Sequence, residues 1–278
     1  MTAWIDGRLV ALADARVSVL DHGLVVGDGV FETLRVYRGV PFAWTRHLAR
    51  LRASADGLGL EIPDVTVLRD AADAVLLANE LTEARLRITV TGGIAPPGSG
   101  RGDAPPCAFL LAFPIEAAAE SVDVVVAPWT RNENGALVGL KTISYAANVR
   151  ALAFAREKGA GEAIFANTKG NLCEATGSNV FLVRDGVLVT PPSGAGCLLG
   201  VTRALVLELA KSSGIDTEER DVPIGALGDC DEAFLSSTTR EVQPIAHIDG
   251  EPLPNVCGPV SERLAAAFRD LVGRDLDP

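Results

Sequence analysis

Val138-Gly139-Leu140-Lys141-Thr142-Ile143-Ser144-Tyr145 carries one of only four lysines in the chain, and the reading of that lysine decides the rest. The other three occupy solvated positions. Lys158 closes a helical stretch before Gly159, Lys169 lies in an Asn-Thr-Lys-Gly-Asn turn, and Lys211 ends another helical stretch before Gly214. Lys141 instead sits at the seam between a loop and an apolar stretch that reads as a helix over 142–157. An amine held partly out of water loses its proton easily and becomes a nucleophile able to form a Schiff base with a carbonyl. Alone, it reads as a half-buried lysine with its stem packed on apolar neighbours. Three stations downstream change that reading.

The first is Asn171-Leu172-Cys173-Glu174-Ala175-Thr176-Gly177-Ser178-Asn179-Val180-Phe181. Glu174 lies among small and apolar residues at a strand end, and a buried carboxylate there requires a cationic or proton-sharing partner. The second is Leu199-Gly200-Val201-Thr202-Arg203, which opens a helix. Its glycine permits close backbone approach, and the amides of Val201 and Thr202 point at an anion. The third is Ser236-Ser237-Thr238-Thr239-Arg240-Glu241, a hydroxyl-rich turn after a strand. Each has an ordinary alternative: a solvated strand end, a plain N-cap and a strand terminator. Together they supply an amine for a carbonyl, a carboxylate for a ring cation and a cradle for a phosphate, which are the requirements of pyridoxal phosphate.

The remainder of the chain bounds this reading. Its 278 residues suffice for two cores. Net charge is -11, which argues against nucleic-acid or anionic-membrane partners. Five scattered cysteines with no C-x-x-C pair predict a reducing compartment and no structural zinc. The N-terminus lacks the pattern of a signal peptide and no apolar run is long enough to span a bilayer, so the expected location is cytoplasmic. Asp6-Gly7 predicts a hairpin over 4–12, and a second β region is expected over 17–23. Thr45 reads as the N-cap of a helix ending near Asp56, and Asp64 as the N-cap of a longer one. Residues 95–106, rich in Gly and Pro, read as a loop. Strands follow at 122–127, 163–168, 180–183, 187–190 and 234–237, with helices at 202–213 and 261–271. The expected organisation is a small α+β domain over 1–113, a linker at 114–121, and a larger, β-rich α/β domain over 122–278.

With Gly27-Asp28-Gly29-Val30-Phe31-Glu32-Thr33 and His47-Leu48-Ala49-Arg50-Leu51, these stations resemble the class IV (fold type IV) pyridoxal-phosphate enzymes. That group comprises branched-chain aminotransferases, D-amino acid aminotransferases, (R)-selective amine transaminases and aminodeoxychorismate lyases. The resemblance runs from Trp4 to about Phe268. It implies a D-amino acid aminotransferase-like fold of two domains with the cofactor between them, and a homodimer whose substrate pocket a neighbouring subunit completes. By the same resemblance Lys141 bonds to pyridoxal 5'-phosphate and shuttles the proton, and Glu174 pairs with the pyridinium nitrogen. Arg50, the amides of Val201 and Thr202, and the hydroxyl of Thr238 hold the phosphate. Tyr145 reaches the phenolic oxygen, although it follows the lysine by four residues, one fewer than in some members.

Substrate contacts are expected at Phe31 and Thr239. Phe31 stands where the Bacillus-type D-amino acid enzymes, by the same resemblance, carry a pocket tyrosine. Their carboxylate-clamping Arg-x-His is replaced here by Thr91-Gly92-Gly93-Ile94. Arg101 reads either as a substitute carboxylate contact or as a solvated loop arginine. The implied reaction is transfer of an amino group between an amino acid, D- or small branched, and a 2-keto acid. The alternative is 4-amino-4-deoxychorismate lyase chemistry, which releases p-aminobenzoate and pyruvate.

Overall fold

In the strand that begins at Gly29, Val30, Leu34 and Val36 are buried on one face with Glu32 among them, and this strand lies within the first of two sheets. The structure, a computed structural model, describes residues 1–116 and 118–278. By contacts the chain divides into two units: Met1–Glu116 with Leu140–Tyr145 and Asp275–Pro278, and Ala117–Gly139 with Ala146–Arg274. The linker expected over 114–121 includes residue 117, which lies outside the described residues.

The first unit contains β1 (Thr2–Ile5), β2 (Arg8–Ala11), α1 (His22–Val26), β3 (Gly29–Tyr37), β4 (Val40–Pro41), α2 (Trp44–Leu58), α3 (Val65–Ala78), β5 (Ala84–Thr91) and β6 (Cys107–Pro114). Its strands form an antiparallel sheet in the order β2-β1-β6-β5-β3-β4. Asp6 and Gly7 both take positive φ, as the type I′ hairpin requires. Leu51 of α2 and Leu68 of α3 share a core with Leu34, Leu86, Ile88 and Leu110 of the sheet, all fully buried. Burial of each contributes about 1.5–3 kcal/mol.

Three local expectations are corrected in this unit. Residues 17–23 form no strand; Asp21 accepts from the Gly23 amide at 2.8 Å and caps α1, which Gly27 ends in the left-handed region. Thr45 is not an N-cap but the second residue of α2. Asp277 does the capping, accepting from the Thr45 amide at 2.8 Å and its hydroxyl at 2.6 Å, while Ala43 donates its amide to the Leu276 carbonyl. The helix expected from Thr142 starts only at Ala146, because the segment before it lies along β3. There Thr142 bridges Val30, the Phe31 amide donates to the Lys141 carbonyl at 3.0 Å, and Ile143 donates to Gly29 at 2.9 Å. With those bonds, Leu140–Tyr145 groups by contacts with the first unit.

The second unit contains β7 (Val122–Val126), α4 (Ala146–Glu157), β8 (Glu162–Ala166), β9 (Leu172–Ala175), β10 (Asn179–Arg184), β11 (Val187–Thr190), α5 (Val201–Ser212), β12 (Thr217–Glu219), β13 (Glu232–Ser237), β14 (Glu241–Ile248), β15 (Glu251–Pro252) and α6 (Pro259–Arg274). The main path of its mixed sheet runs β12-β11-β10-β13-β14-β7-β8-β9, with β15 on β14. β7 and β8 run parallel, with α4 between them in the chain. The rings of Phe181 and Phe234 stack at 4.8 Å across β10 and β13. The sequence pattern does not reveal β14 because Pro244 breaks it; in the sheet Pro244 sits opposite Phe234. No helix among the described residues is long and apolar enough to cross a membrane.

Candidate active site

In the first unit, the candidate residues Phe31, Arg50, Lys141 and Tyr145 lie on β3, α2 and the 140–145 segment. Lys141 is half-buried, and its amide donates to Ser54 Oγ of α2 at 3.0 Å. Its Nζ lies 4.5 Å from the centre of the Phe31 ring. Phe31 is 4% exposed, and Tyr145 meets it edge-on at 5.2 Å and 77°. The Arg87 guanidinium stands 3.8 Å from the same ring centre, and its Nε donates to Thr89 Oγ1 at 3.2 Å. Phe31 therefore carries an amine, a guanidinium and a phenol around one aromatic ring. Burial lowers the Arg87 pKa from its ordinary value, but a guanidinium keeps its charge in proteins.

Behind that ring, Arg50 is held by Glu32. Arg50 Nε donates to Glu32 Oε1 at 2.7 Å and Nη2 to Oε2 at 2.8 Å, and His47 Nδ1 meets Oε2 at 2.7 Å. Burial alone would raise the Glu32 carboxyl. The charge of Arg50, with His47 and the hydrogen bonds of both, outweighs it and holds the group below the ordinary carboxylate range. Burial pushes the His47 pKa below the ordinary imidazole value, against the raising effect of the Glu32 carboxylate.

Arg101 has other partners. It grips Asp28 with two nitrogens, each at 2.7 Å, and donates to the carbonyls of Gly59 at 2.6 Å and Leu58 at 2.8 Å. Its bonds pin the 95–106 loop to the end of α2. Arg101 remains an exposed loop arginine, with its head group engaged by these partners.

In the second unit, Glu174 lies on β9 opposite Phe165. Its Oε2 accepts from the Leu198 amide at 2.9 Å, and Arg131 Nε stands 3.5 Å from Oε1 while the guanidinium covers the Phe165 ring at 4.5 Å. The α5 N-cap, Gly200, supplies no side-chain cap to the first amides of that helix, and Val201 and Thr202 are buried there. A Cβ on Gly200 would lie 2.2 Å from Asn179 Oδ1, so the backbone passes hard against β10. Ser236 faces Asn179 across the β10–β13 ladder, and its buried hydroxyl has no hydrogen-bond partner among the described residues. Thr238 and Thr239 occupy the β13–β14 turn, which Arg240 ties to Glu162 at 3.3 Å and to Gln243.

An uncapped helix start beside an orphaned hydroxyl and a threonine turn suits a phosphate, and a carboxylate backed by an arginine suits a protonated ring nitrogen. The donor set fits pyridoxal 5'-phosphate. Sequence reading alone does not single out Arg87, Arg131, His47 or Ser236 as site groups. Arg87 has a signal: Arg85, Arg87 and Thr89 alternate with the buried Leu86, Ile88 and Val90, so a cation shares the face of a strand with Thr89, itself buried.

The sequence pattern of the family described as Amino-transferase class IV matches residues 29–248. The chain belongs to the class IV aminotransferases. A branched-chain-amino-acid aminotransferase of Salmonella typhimurium is 32% identical, over 95% of this chain and 91% of that protein. A D-alanine aminotransferase of Listeria innocua is 33% identical, over 99% of this chain and 97% of that protein. The solved branched-chain amino acid aminotransferase of Thermobaculum terrenum, in its PLP-bound holo form, superposes with a TM-score of 0.88 at 29% identity, covering 99% of this chain and 94% of that one. This class IV aminotransferase is thus a pyridoxal-phosphate-dependent enzyme with the two-domain type IV fold.

Proposed function

We propose that this class IV aminotransferase moves the amino group of a branched-chain amino acid to a 2-keto acid. The observation that carries the reading is the Phe31 ring, with the Lys141 amine and the Arg87 guanidinium both beside it. A guanidinium against the same ring as the Lys141 amine favours a substrate that carries a carboxylate over a simple amine. The apolar Phe31 ring beside these groups favours an aliphatic side chain. Two proteins compared above, both branched-chain aminotransferases by name, support the same class.

When bound, pyridoxal phosphate supplies an electron-withdrawing ring that makes the substrate Cα–H acidic. Lys141 would hold it covalently, and its Nζ, once displaced by the substrate amine, would take the proton from the substrate Cα and deliver it to the cofactor C4′. Glu174, steadied by Arg131 and the Leu198 amide, keeps a proton on the ring nitrogen. Arg50, the amides of Val201 and Thr202, and the Thr238 hydroxyl hold the phosphate. Tyr145 reaches the phenolic oxygen. Phe31 and Thr239 line the substrate, and Arg87 takes its carboxylate in the place the sequence offers to Arg101.

The active form in this reading is a homodimer. The support is an apolar run on the first unit, where Val19 is 79% and Leu24 64% exposed, with Val17, Leu20, Val25, Val26 and Ile94 also open. Exposed apolar surface so concentrated marks an interface. Sedimentation at micromolar concentration is expected to give twice the chain mass.

A donor panel tests the reaction. With 2-oxoglutarate as acceptor, L-leucine is expected to turn over faster than D-alanine or (R)-1-phenylethylamine. Faster turnover of D-alanine would replace the substrate class. Pyruvate release from aminodeoxychorismate without added keto acid would replace the reaction with lyase chemistry.

A further inference from the structure

Glu32 occupies a position that the fold reserves for an apolar residue. Val30, Leu34 and Val36 are all 0% exposed on the face of β3 that packs against α2, and Glu32, also 0% exposed, lies in the same row. A carboxylate there costs stability relative to a well-packed aliphatic side chain, even when paired. A valine or leucine at 32 would complete the core.

The carboxylate is saturated by one helix. Oε1 takes Arg50 Nε, and Oε2 takes Arg50 Nη2 and His47 Nδ1. His47 and Arg50 stand three residues apart on α2, so they share a face. The two-pronged contact fixes both the plane of the guanidinium and its rotation about the side-chain axis. One turn further along α2, Ser54 accepts the Lys141 amide. The helix face that Glu32 grips thus also anchors the backbone of the reactive lysine.

We infer that Glu32 is a positioning residue: it orients the Arg50 guanidinium toward the cofactor phosphate, and acts on the cofactor only through that arginine. The inference rests on the cofactor reading above and adds a residue to it. Its signature is selectivity, because a group that acts through the phosphate arginine matters only to a ligand that has a phosphate.

The test titrates cofactor-stripped protein with pyridoxal 5'-phosphate and, separately, with pyridoxal, following visible absorbance and tryptophan fluorescence. Glu32→Gln keeps size and one acceptor but removes the charge. It is expected to weaken pyridoxal phosphate binding about ten- to a hundredfold, while pyridoxal binding changes by less than about twofold. Equal losses for both aldehydes, or no loss for either, would overturn the inference. Arg50→Lys provides a second route if Glu32→Gln does not fold. It keeps a positive charge opposite Glu32 without the two-pronged contact, and is expected to lose the same preference for the phosphate form. A wild-type preference that survives in both variants contradicts the positioning role alone. A wild-type protein that binds neither aldehyde contradicts both the role and the cofactor reading.

Discussion

Glu32 and Glu174 are both carboxylates on strands, each beside an arginine, and they differ in closure. Glu32 is sealed, at 0% exposure, and its two oxygens are taken by three donors from α2. The Glu174 side chain is 14% exposed; one of its contacts is a backbone amide and Arg131 stands off at 3.5 Å. A sealed, saturated carboxylate can only hold other protein groups in place. An accessible one, steadied by a neighbouring cation, can also meet a ligand. The contrast predicts a different consequence for the loss of each.

The largest expected effect lies outside the pair, at Lys141. Lys141→Ala removes the proton shuttle, and turnover is expected to fall by about a thousandfold or more in steady-state assays. Retention of wild-type turnover would leave neither carboxylate with a task. Glu174→Ala comes next, with turnover expected to drop about a hundred- to a thousandfold while the protein still folds. Turnover within a few-fold of wild type would place Glu174 with Glu32 as a structural group.

Arg87→Ala sharpens the comparison from the substrate side. It is expected to raise KM for amino and keto acids about tenfold or more, and to leave a monoamine donor lacking a carboxylate unaffected. Equal changes for both donors would make Arg87 a packing residue of Phe31.

The smallest effect is a pH dependence of stability. The folded pKa of Glu32 is depressed, so its pairing stabilises the fold above the unfolded value near 4.5 and is lost as pH falls further, toward the folded value. The thermal midpoint of wild type is expected to drop on acidification below about pH 4.5, and Glu32→Gln to lose part of that slope. Identical slopes in both proteins would show that Glu32 is not the group responsible.

Much of the candidate site is legible in the sequence because its parts are short and contiguous. Lys141, Glu174 and the Gly200-Val201-Thr202 start of α5 each announce themselves within a few residues, and turns such as Asp6-Gly7 carry their conformation in their own backbone demands. What is not legible joins distant positions. Glu32 meets Arg50 only because β3 presents that face to α2, although a carboxylate within the alternation Val30-x-Glu32-x-Leu34 is a visible anomaly. Thr45 looks like an N-cap because nothing local reveals that Asp277, from the far end of the chain, supplies the carboxylate. Thr142 and Ile143 join the helix pattern by hydrophobicity, yet their backbone bonds go to β3, a partner more than 100 residues earlier. Arg101 reads as a surface or substrate arginine; it is exposed, and its partners Asp28 and the two carbonyls at the end of α2 lie more than 40 residues away in the chain.

The central claim is that Lys141 is the lysine bonded to the cofactor. Borohydride reduction of the cofactor-loaded protein, followed by peptide mapping, tests it directly. With Lys141 as the cofactor lysine, the phosphopyridoxyl group is expected on the peptide containing Lys141 and on no other. Its recovery on Lys158, Lys169 or Lys211 would contradict the account.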